Sequence, residues 1–343
     1  MNNQIIVVGA GVSGLTCAVR LLEAGFAVRV IAAELPGTDP APARRGSRPP
    51  GMCSKRAAAI WYPFRIKPED RVRRWGARSL AAYRELAETS GSGVRMVDFR
   101  VLHGQKQKKK ALVKLDVCGR EMIKSDELPS SRYAAGVRIR VPFIDTTVFL
   151  PSLEAWVRDL GGTLEHRAPL RSLREVRGQA PVVVNCTGLG ARRLCHDERM
   201  RPERGQVLYA RAPAVERWSV AIPRHGDPIY VFPRTSDVVL GGTDEVGIWD
   251  ERTDETSLDR IQDACCALEP ALQEGYEVLG SAAGLRPVRR GGVRLEPEHR
   301  PDGLTVIHNY GHGGAGYTVA WGCADEVTGL VKQAFGKSTS ASV

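Results

Sequence analysis

Residues 4–15 read QIIVVGAGVSGL, and the fold turns on this stretch. Gln4–Val8 is a short apolar run rich in β-branched residues, the pattern of a buried parallel strand. Gly9, Gly11 and Gly14 follow in GxGxxG spacing. Gly9 permits the tight turn, Gly11 admits a pyrophosphate to the backbone, and Gly14 lets a helix pack on the strand. Residues 15–24 read as that helix, stopped by Gly25, and Ala27–Ala32 as the next strand. Glu34 stands 20 residues after Gly14, where a carboxylate accepts hydrogen bonds from an adenosine ribose. Together these features predict dinucleotide binding by a Rossmann-like unit, with Gly9, Ala10, Gly11, Val12, Ser13 and Gly14 around the pyrophosphate. Glu34 disfavours a 2′-phosphate but does not separate NAD from FAD.

A second glycine cluster, IHNYGHGGAGYTVAWG, occupies residues 307–322. Gly311, Gly313, Gly314 and Gly316 allow close backbone contacts. Residues 317–331 read as a helix whose N-terminus can stabilise negative charge. A nicotinamide dehydrogenase does not need this second turn, whereas a flavin enzyme that wraps its cofactor from both ends does. His312 reads as a structural histidine of the turn rather than a catalytic base.

The 343 residues suffice for two domains or one large interleaved unit, and a hydrophobic fraction of 43% gives an ordinary core. A net charge of +10 suits an anionic cofactor and carboxylate substrates. The arginines are dispersed, with no zinc-finger or helix-turn-helix pattern, so nucleic acid is not an expected partner. The eight cysteines contain no CxxC and no metal-ligand spacing, so no metal is expected. No apolar stretch reaches membrane-spanning length, and the cytoplasm with reduced cysteines is the expected setting.

Residues 39–50 read as a loop. The small-residue run Ala57, Ala58, Ala59 lies within SKRAAAIWYPF at 54–64. A flat ring system could approach it closely, with Ser54 or Lys55 near phosphate or ribose, but a tightly packed helix beside Trp61 fits equally. Helices are expected at 66–88, 150–160 and 257–268. Strands are expected at 96–101, 136–141, 143–145, 181–184, 207–210, 229–232 and 238–242. Lys106, Lys108, Lys109 and Lys110 read as a solvated hairpin tip, without the interleaved aromatics of a nucleic-acid surface. In GLRPVRRGGVRLEPE, 284–298, strand character begins at Val293. Arg286, Arg289, Arg290 and Arg294 offer guanidinium clamps for a carboxylate, and the sequence does not choose among them. The terminal KSTSASV reads as a disordered polar tail.

Across residues 4–330 the chain resembles the D-amino-acid oxidase family. The resemblance rests on VVGAGVSGL, AAAIWYPF, RVPFIDTTVFLPSL, VVNCTGLGAR, GQVL, YVFPR, VVLGGT, GLRPVRRGGVRLE and HNYGHGGAGYTVAWGCA, in that order. It implies an α/β fold: a Rossmann-like FAD domain from 1–60, 140–205 and 285–343, and an α+β substrate domain with a large mixed sheet from 61–139 and 206–284. It also implies non-covalent FAD, hydride passage from the substrate Cα to flavin N5, and molecular oxygen as reoxidant. The products are a 2-oxo acid, ammonia and hydrogen peroxide. By motif, Arg286 and Tyr230 hold the substrate carboxylate and the Gly314 carbonyl holds the amine. Ala58, Ala59 and Ile60 line one flavin face, Arg294 lies near the ring and Thr318 meets its edge. Ser54, Thr187, Gly188, Gly311, Gly313, Ala315, Gly316 and Tyr317 complete the cofactor set. Family members often dimerise, so a homodimer is compatible with the resemblance.

Three positions depart from the family pattern. Gly226 replaces a second active-site tyrosine, and Ala315 replaces a tyrosine of the terminal glycine motif, which implies a more open side-chain pocket. Where D-aspartate-oxidising relatives place an arginine after GGT, this chain has Asp244 and Glu245. These carboxylates would repel acidic side chains, giving an oxidase for neutral D-amino acids that extends to basic ones. The alternatives are a glycine or secondary-amine oxidase, a biosynthetic flavin oxidase for one unusual amino acid, and a flavin-binding protein without turnover.

Overall fold

The structure, a computed structural model, describes residues 3–38, 52–63, 66–104, 119–223 and 226–340. β1 (Gln4–Val8), α1 (Val12–Glu23) and β2 (Ala27–Ala32) open the chain. Helix α1 begins at Val12 rather than at residue 15. Its first amide finds a partner far along the chain, Val12 N donating to Ser54 Oγ at 3.1 Å. Gly14 therefore lies in the first turn, where a Cβ would come 1.8 Å from Gly9 O. Gly9 itself takes φ 108°, open to glycine but strained for other residues.

The chain continues through α2 (Cys53–Arg56), α3 (Glu69–Ala87), β3 (Val94–Gly104), β4 (Glu121–Met122), β5 (Tyr133–Ile144) and α4 (Thr146–Asp159). Next come β6 (Thr163–His166), β7 (Val182–Asn185), α5 (Ala191–Leu194), β8 (Met200–Arg211), β9 (Trp218–Ile222), β10 (Ile229–Pro233) and β11 (Val238–Gly241). The last elements are β12 (Glu245–Val246), α6 (Glu255–Leu268), β13 (Glu277–Arg289), β14 (Arg294–His299), β15 (Thr305–Tyr310) and α7 (Gly316–Ser340).

Two sheets organise these elements in a mixed α/β fold. A six-stranded sheet runs β14-β15-β7-β1-β2-β6, parallel except at its β14 edge. Its centre is β1, whose Ile5, Ile6 and Val7 are fully buried, as a strand flanked on both sides requires. The other sheet has nine strands, ordered β12-β8-β11-β10-β9-β3-β5-β4 with β13 also paired to β8. It is mixed because β3 and β9 run parallel while the other pairs are antiparallel.

Several elements differ from the sequence expectation. The two strands expected around Pro142 are one strand, β5. Pro142 turns its carbonyl to Trp61 N, so its missing N–H also faces away from β3 and costs that ladder nothing. Strand β13 covers GLRPVR, well before Val293, because it pairs with β8 from Glu277↔Arg211 to Arg289↔Met200. Such long non-local pairing outweighs the local Pro, Arg and Gly content. Helix α4 starts at Thr146, four residues early, because Asp145 caps it by accepting from Thr147 N. Helix α7 continues to Ser340, into the expected disordered tail, since extending an existing helix needs no new nucleus. The loop at 39–50, Phe64 and the lysines at 106 and 108–110 lie outside the described residues. Among the described residues no helix is long and apolar enough to cross a membrane, and no side-chain cluster could hold a metal ion.

Candidate active site

A cavity of about 430 Å³ opens above the carboxyl ends of β1, β2 and β7. Gly9, Ala10, Gly11 and Ser13 line its centre, Glu34 one end, and Thr187 and Gly188 the flank beside β7. Ser54 reaches it from α2, and Pro287 and His312 close its far side. This is where an open parallel sheet binds a dinucleotide.

The residues present fit that group. Glu34 Oε2 is buried without a partner among the described residues, as a carboxylate oxygen awaiting a hydroxyl would be. A Cβ on Gly9 would come 2.6 Å from Cys186 O, so glycine there keeps the turn close to the β7 strand end. Asn185 fixes the flank by accepting from Thr187 N at 3.2 Å and from its hydroxyl at 2.7 Å.

The two glycine turns meet directly. Ser13 Oγ and His312 Nδ1 are 3.4 Å apart, and His312 Nε2 bonds Asn309 Oδ1 at 3.0 Å. Burial lowers the His312 pKa to about 4, so the ring is neutral near pH 7. With both nitrogens engaged, it braces the turns and is unsuited to act as a base. Deeper in the interface, Thr16 Oγ1 donates to Ala320 O at 3.4 Å and Asn309 Nδ2 to Cys17 Sγ at 3.2 Å. Gly316 packs near Val12, and Tyr317 donates its hydroxyl to Ser54 O at 2.8 Å.

A second cluster gathers on the nine-stranded sheet. Arg286 projects from β13 across Gly205 of β8, where a Cβ would come 2.2 Å from its Nη2. Its Nη1 donates to Thr243 O at 2.9 Å. Tyr230 extends from β10 over Gly241, where a Cβ would approach its ring to 2.2 Å. The glycines of GQVL and VVLGGT thus make room for these two side chains. The Tyr230 hydroxyl meets Arg286. Burial raises its pKa and the Arg286 charge opposes this only partly, so the phenol keeps its proton near neutrality. Gly314 comes against the same arginine, a Cβ there lying 3.4 Å from Arg286 Cδ.

The four arginines that the sequence left unsorted have separate places. Arg286 is in this cluster. Arg289 is bound to Asp197 at 2.7 Å and Arg290 is exposed. Arg294 is held by Glu296, Glu298 and the Tyr310 hydroxyl. Arg294 does not line the dinucleotide cavity.

The remaining candidates do not line the dinucleotide cavity. Residues 57–59 are not helical: Ala57 is extended, Ala58 and Ala59 are buried, and Ala59 takes the left-handed φ of 38°. Ile60 bridges to Phe143. Thr318 exchanges hydrogen bonds with the Tyr62 backbone. Gly311 and Gly313 both have positive φ and face Arg289 and Val288. Ala315 is 1% exposed, its amide donating to His312 O, so its methyl is packed inside the turn and does not widen an open cleft. Gly226 stands at an exposed turn.

The two carboxylates after GGT diverge. Glu245 turns to Arg204, which it grips through both oxygens at 2.7 and 2.8 Å. Asp244 turns to Arg286, with 3.7 Å between Oδ1 and Nη1. Glu203, not anticipated from sequence, stands opposite Arg286 across the β8–β13 ladder and shares a hydrogen bond with Asp244. Burial and the Asp244 charge raise its pKa, while Arg286 acts the other way. Only strand register could have revealed Glu203. Cys53, also near Arg286, has its pKa raised to about 11 by burial and is no thiolate nucleophile.

The profile of the FAD dependent oxidoreductase family matches residues 4–330. The chain is 40% identical over 327 residues to the D-amino-acid oxidase of Rubrobacter xylanophilus, covering 95% of each chain. It is also 40% identical over 333 residues to the D-amino-acid oxidase of Streptomyces coelicolor, covering 96% of this chain and 97% of the other. Among solved structures, it is similar in fold to glycine oxidase from Geobacillus kaustophilus (TM-score 0.77, 18% identity, 96% and 94% of the two chains). The chain belongs to the family of FAD dependent oxidoreductases that carries the D-amino-acid oxidases, and FAD is its cofactor.

Proposed function

We propose that this protein is a D-amino-acid oxidase, acting on neutral D-amino acids and extending to basic ones, with oxygen as electron acceptor. The observation that carries this reading is the meeting of Arg286, Tyr230 and Gly314 beside the dinucleotide cavity. Full-length similarity to two D-amino-acid oxidases supports it. The six-stranded sheet, drawn from 1–60, 140–205 and 285–343, is the FAD domain in this reading. The nine-stranded sheet, largely from 61–139 and 206–284, is the substrate domain.

Bound FAD supplies a two-electron acceptor that returns the electrons to oxygen as hydrogen peroxide. Gly9, Ala10, Gly11, Val12, Ser13, Gly14 and Ser54 hold its pyrophosphate, Glu34 its ribose, and Thr187 and Gly188 the flank. Ala58, Ala59, Ile60, Gly311, Gly313, Ala315, Gly316, Tyr317 and Thr318 complete its surroundings, whereas Arg294, expected near the ring, is held away by Glu296, Glu298 and Tyr310. The protein's own work is orientation. Arg286 binds the substrate carboxylate as a charge-assisted clamp, and the protonated Tyr230 donates to the same group. The Gly314 carbonyl accepts from the amine. Three anchors leave one Cα–H direction toward the cofactor, which selects one enantiomer. The clustered side chains offer no free base, so the substrate arrives at the reactive geometry with its amine already neutral. Activity accordingly rises with pH as the substrate ammonium deprotonates.

Asp244 tunes the side-chain preference. A carboxylate beside Arg286 repels a second substrate carboxylate and tolerates a cationic side chain. The test is anaerobic flavin bleaching across D- and L-amino acids, glycine and sarcosine, followed by peroxide detection in air. Bleaching by D-alanine, D-methionine and D-arginine, with weak response to D-aspartate and none to L-enantiomers, is expected. Preference for glycine or sarcosine would move the protein to another oxidase, and no bleaching at all would leave a flavin-binding protein.

A further inference from the structure

Glu203 lies beside the arginine on which the oxidase reading depends. On β8 it pairs with Arg286 of β13 on one side and with Val246 of β12 on the other. Side chains alternate along a strand, so Glu203 shares a face with Gly205, the residue that the Arg286 guanidinium crosses. Asp244 stands two residues before Val246, on the diagonal from Glu203, where cross-strand side chains still reach one another. The two carboxyl groups share a hydrogen bond. All three side chains are largely covered, with 21% of Arg286, 17% of Glu203 and 12% of Asp244 exposed. Salt therefore screens their interactions only weakly.

The ion pair in this group is loose. Asp244 Oδ1 stays 3.7 Å from Arg286 Nη1, beyond hydrogen-bond length. Nη1 donates instead to Thr243 O at 2.9 Å. The Asp244 main chain is pinned separately, its N–H donating to Asp227 Oδ1 at 2.9 Å, so its carboxylate approaches or leaves Arg286 by side-chain rotation. Glu203 is a contact that holds that side chain. Two carboxylates in contact do not both ionise cheaply. Burial and the Asp244 charge raise the Glu203 pKa against the attraction of Arg286 and Arg201, which favours Glu203 as the donor of the shared hydrogen bond. For an arginine and a carboxylate this near, the strong alternative is a closed, bidentate contact. That contact would occupy the guanidinium N–H groups that a substrate carboxylate needs.

We propose that Glu203 is a positioning residue: by hydrogen-bonding Asp244 it keeps that carboxylate from closing on Arg286, so the guanidinium stays open to the substrate carboxylate. Asp244 then supplies negative charge for side-chain selection without competing for the clamp. The identity of the substrate rests on the oxidase reading, whereas the capture of a carboxylate by Arg286 is open to a direct binding measurement.

The test combines steady-state kinetics on D-alanine with titration of the FAD-loaded protein by propionate, a carboxylate with no amine to oxidise, followed through flavin absorbance. Glu203→Ala should raise KM for D-alanine and weaken propionate binding about tenfold, the scale of coupling between contacting groups. Its kcat should stay within about twofold of wild type, with flavin content unchanged. Glu203→Gln, whose amide still donates to Asp244, should restore both KM and propionate affinity. In an Asp244→Asn background, Glu203→Ala should have no further effect, because no carboxylate is left to close on Arg286. A purely structural role for Glu203 would instead lower flavin content or kcat, and would persist in that background. Glu203→Val, with a residue favoured in strands, replaces Glu203→Ala if the latter does not fold. Equal propionate affinity in wild type and the folded Ala or Val variant, no rescue by Glu203→Gln, or a wild type that binds no propionate would overturn the proposal. A wild type that binds propionate but oxidises no D-amino acid would overturn the oxidase reading, and the propionate series would still decide the role of Glu203.

Discussion

The chain uses the same residue type for two different purposes at its two glycine turns. In the first turn, the space a side chain would need is filled by main chain: Gly9 O stands 1.8 Å from a Cβ on Gly14, and Cys186 O 2.6 Å from one on Gly9. In the second, the neighbours of Gly311 and Gly314 are the side chains of Arg289 and Arg286. Main chain in a packed sheet cannot step aside, whereas a side chain can. In the proposed oxidase, the first turn would then serve folding and cofactor capture, and the second substrate geometry.

The largest effect that could break this contrast is at Gly14. Gly14→Ala should cost about 3 kcal/mol or more through overpacking, giving little soluble protein and no retained flavin. Flavin absorbance after purification and a thermal melt check this, and a stable yellow variant would contradict it. Arg286→Ala should lower kcat/KM for D-alanine roughly 100- to 1,000-fold, the scale of truncating a buried charged partner, while flavin content stays normal. Steady-state kinetics and the absorbance spectrum separate the two, and loss of flavin with turnover retained would reverse the assignment.

His312 gives a third test at the seam between the turns. Its folded pKa, about 4, lies below the ordinary histidine value of 6.5, so the unfolded chain takes up the proton first as pH falls. The neutral ring thus stabilises the fold fully above pH 6.5, and this contribution, about 3 kcal/mol at most, is lost as pH falls toward 4. His312→Gln should flatten that part of the stability curve, measured by urea unfolding of the holoprotein at pH 7 and pH 4.5. The smallest effect is expected at Gly314→Ala. A methyl group 3.4 Å from Arg286 Cδ is an ordinary contact, so flavin is retained and KM for D-alanine rises only a few-fold. Comparing Gly14→Ala with Gly314→Ala measures the contrast directly.

Local sequence carried much of this architecture and failed where partners are distant. The opening strand and the second strand were legible because short-range spacing dictates them. The start of α1 was not, because its first amide is satisfied by Ser54, 42 residues away. Strand β13 looked irregular from its Pro, Arg and Gly residues, and only its pairing with β8 makes it a strand. That register also brings Glu203 opposite Arg286 and separates the four arginines into their distinct environments. Asp244 and Glu245, adjacent and chemically similar, could not be told apart by sequence. The alternation of β12 and its ladder to β8 send Glu245 to Arg204 and leave Asp244 beside Arg286.

The six-stranded sheet sets a condition on biosynthesis. β1 pairs with β7, and β7 in turn with β15, whose residues Thr305–Tyr310 are synthesised long after β1. Helix α7, which seals α1 through Thr16 and Ala320, follows later still. The opening β-α-β unit therefore waits through a long stretch of synthesis for its permanent neighbours, its apolar faces available to chaperones. Because Ser13 and His312 meet in one wall of the dinucleotide cavity, that wall is complete only once β15 and the turn after it have been made.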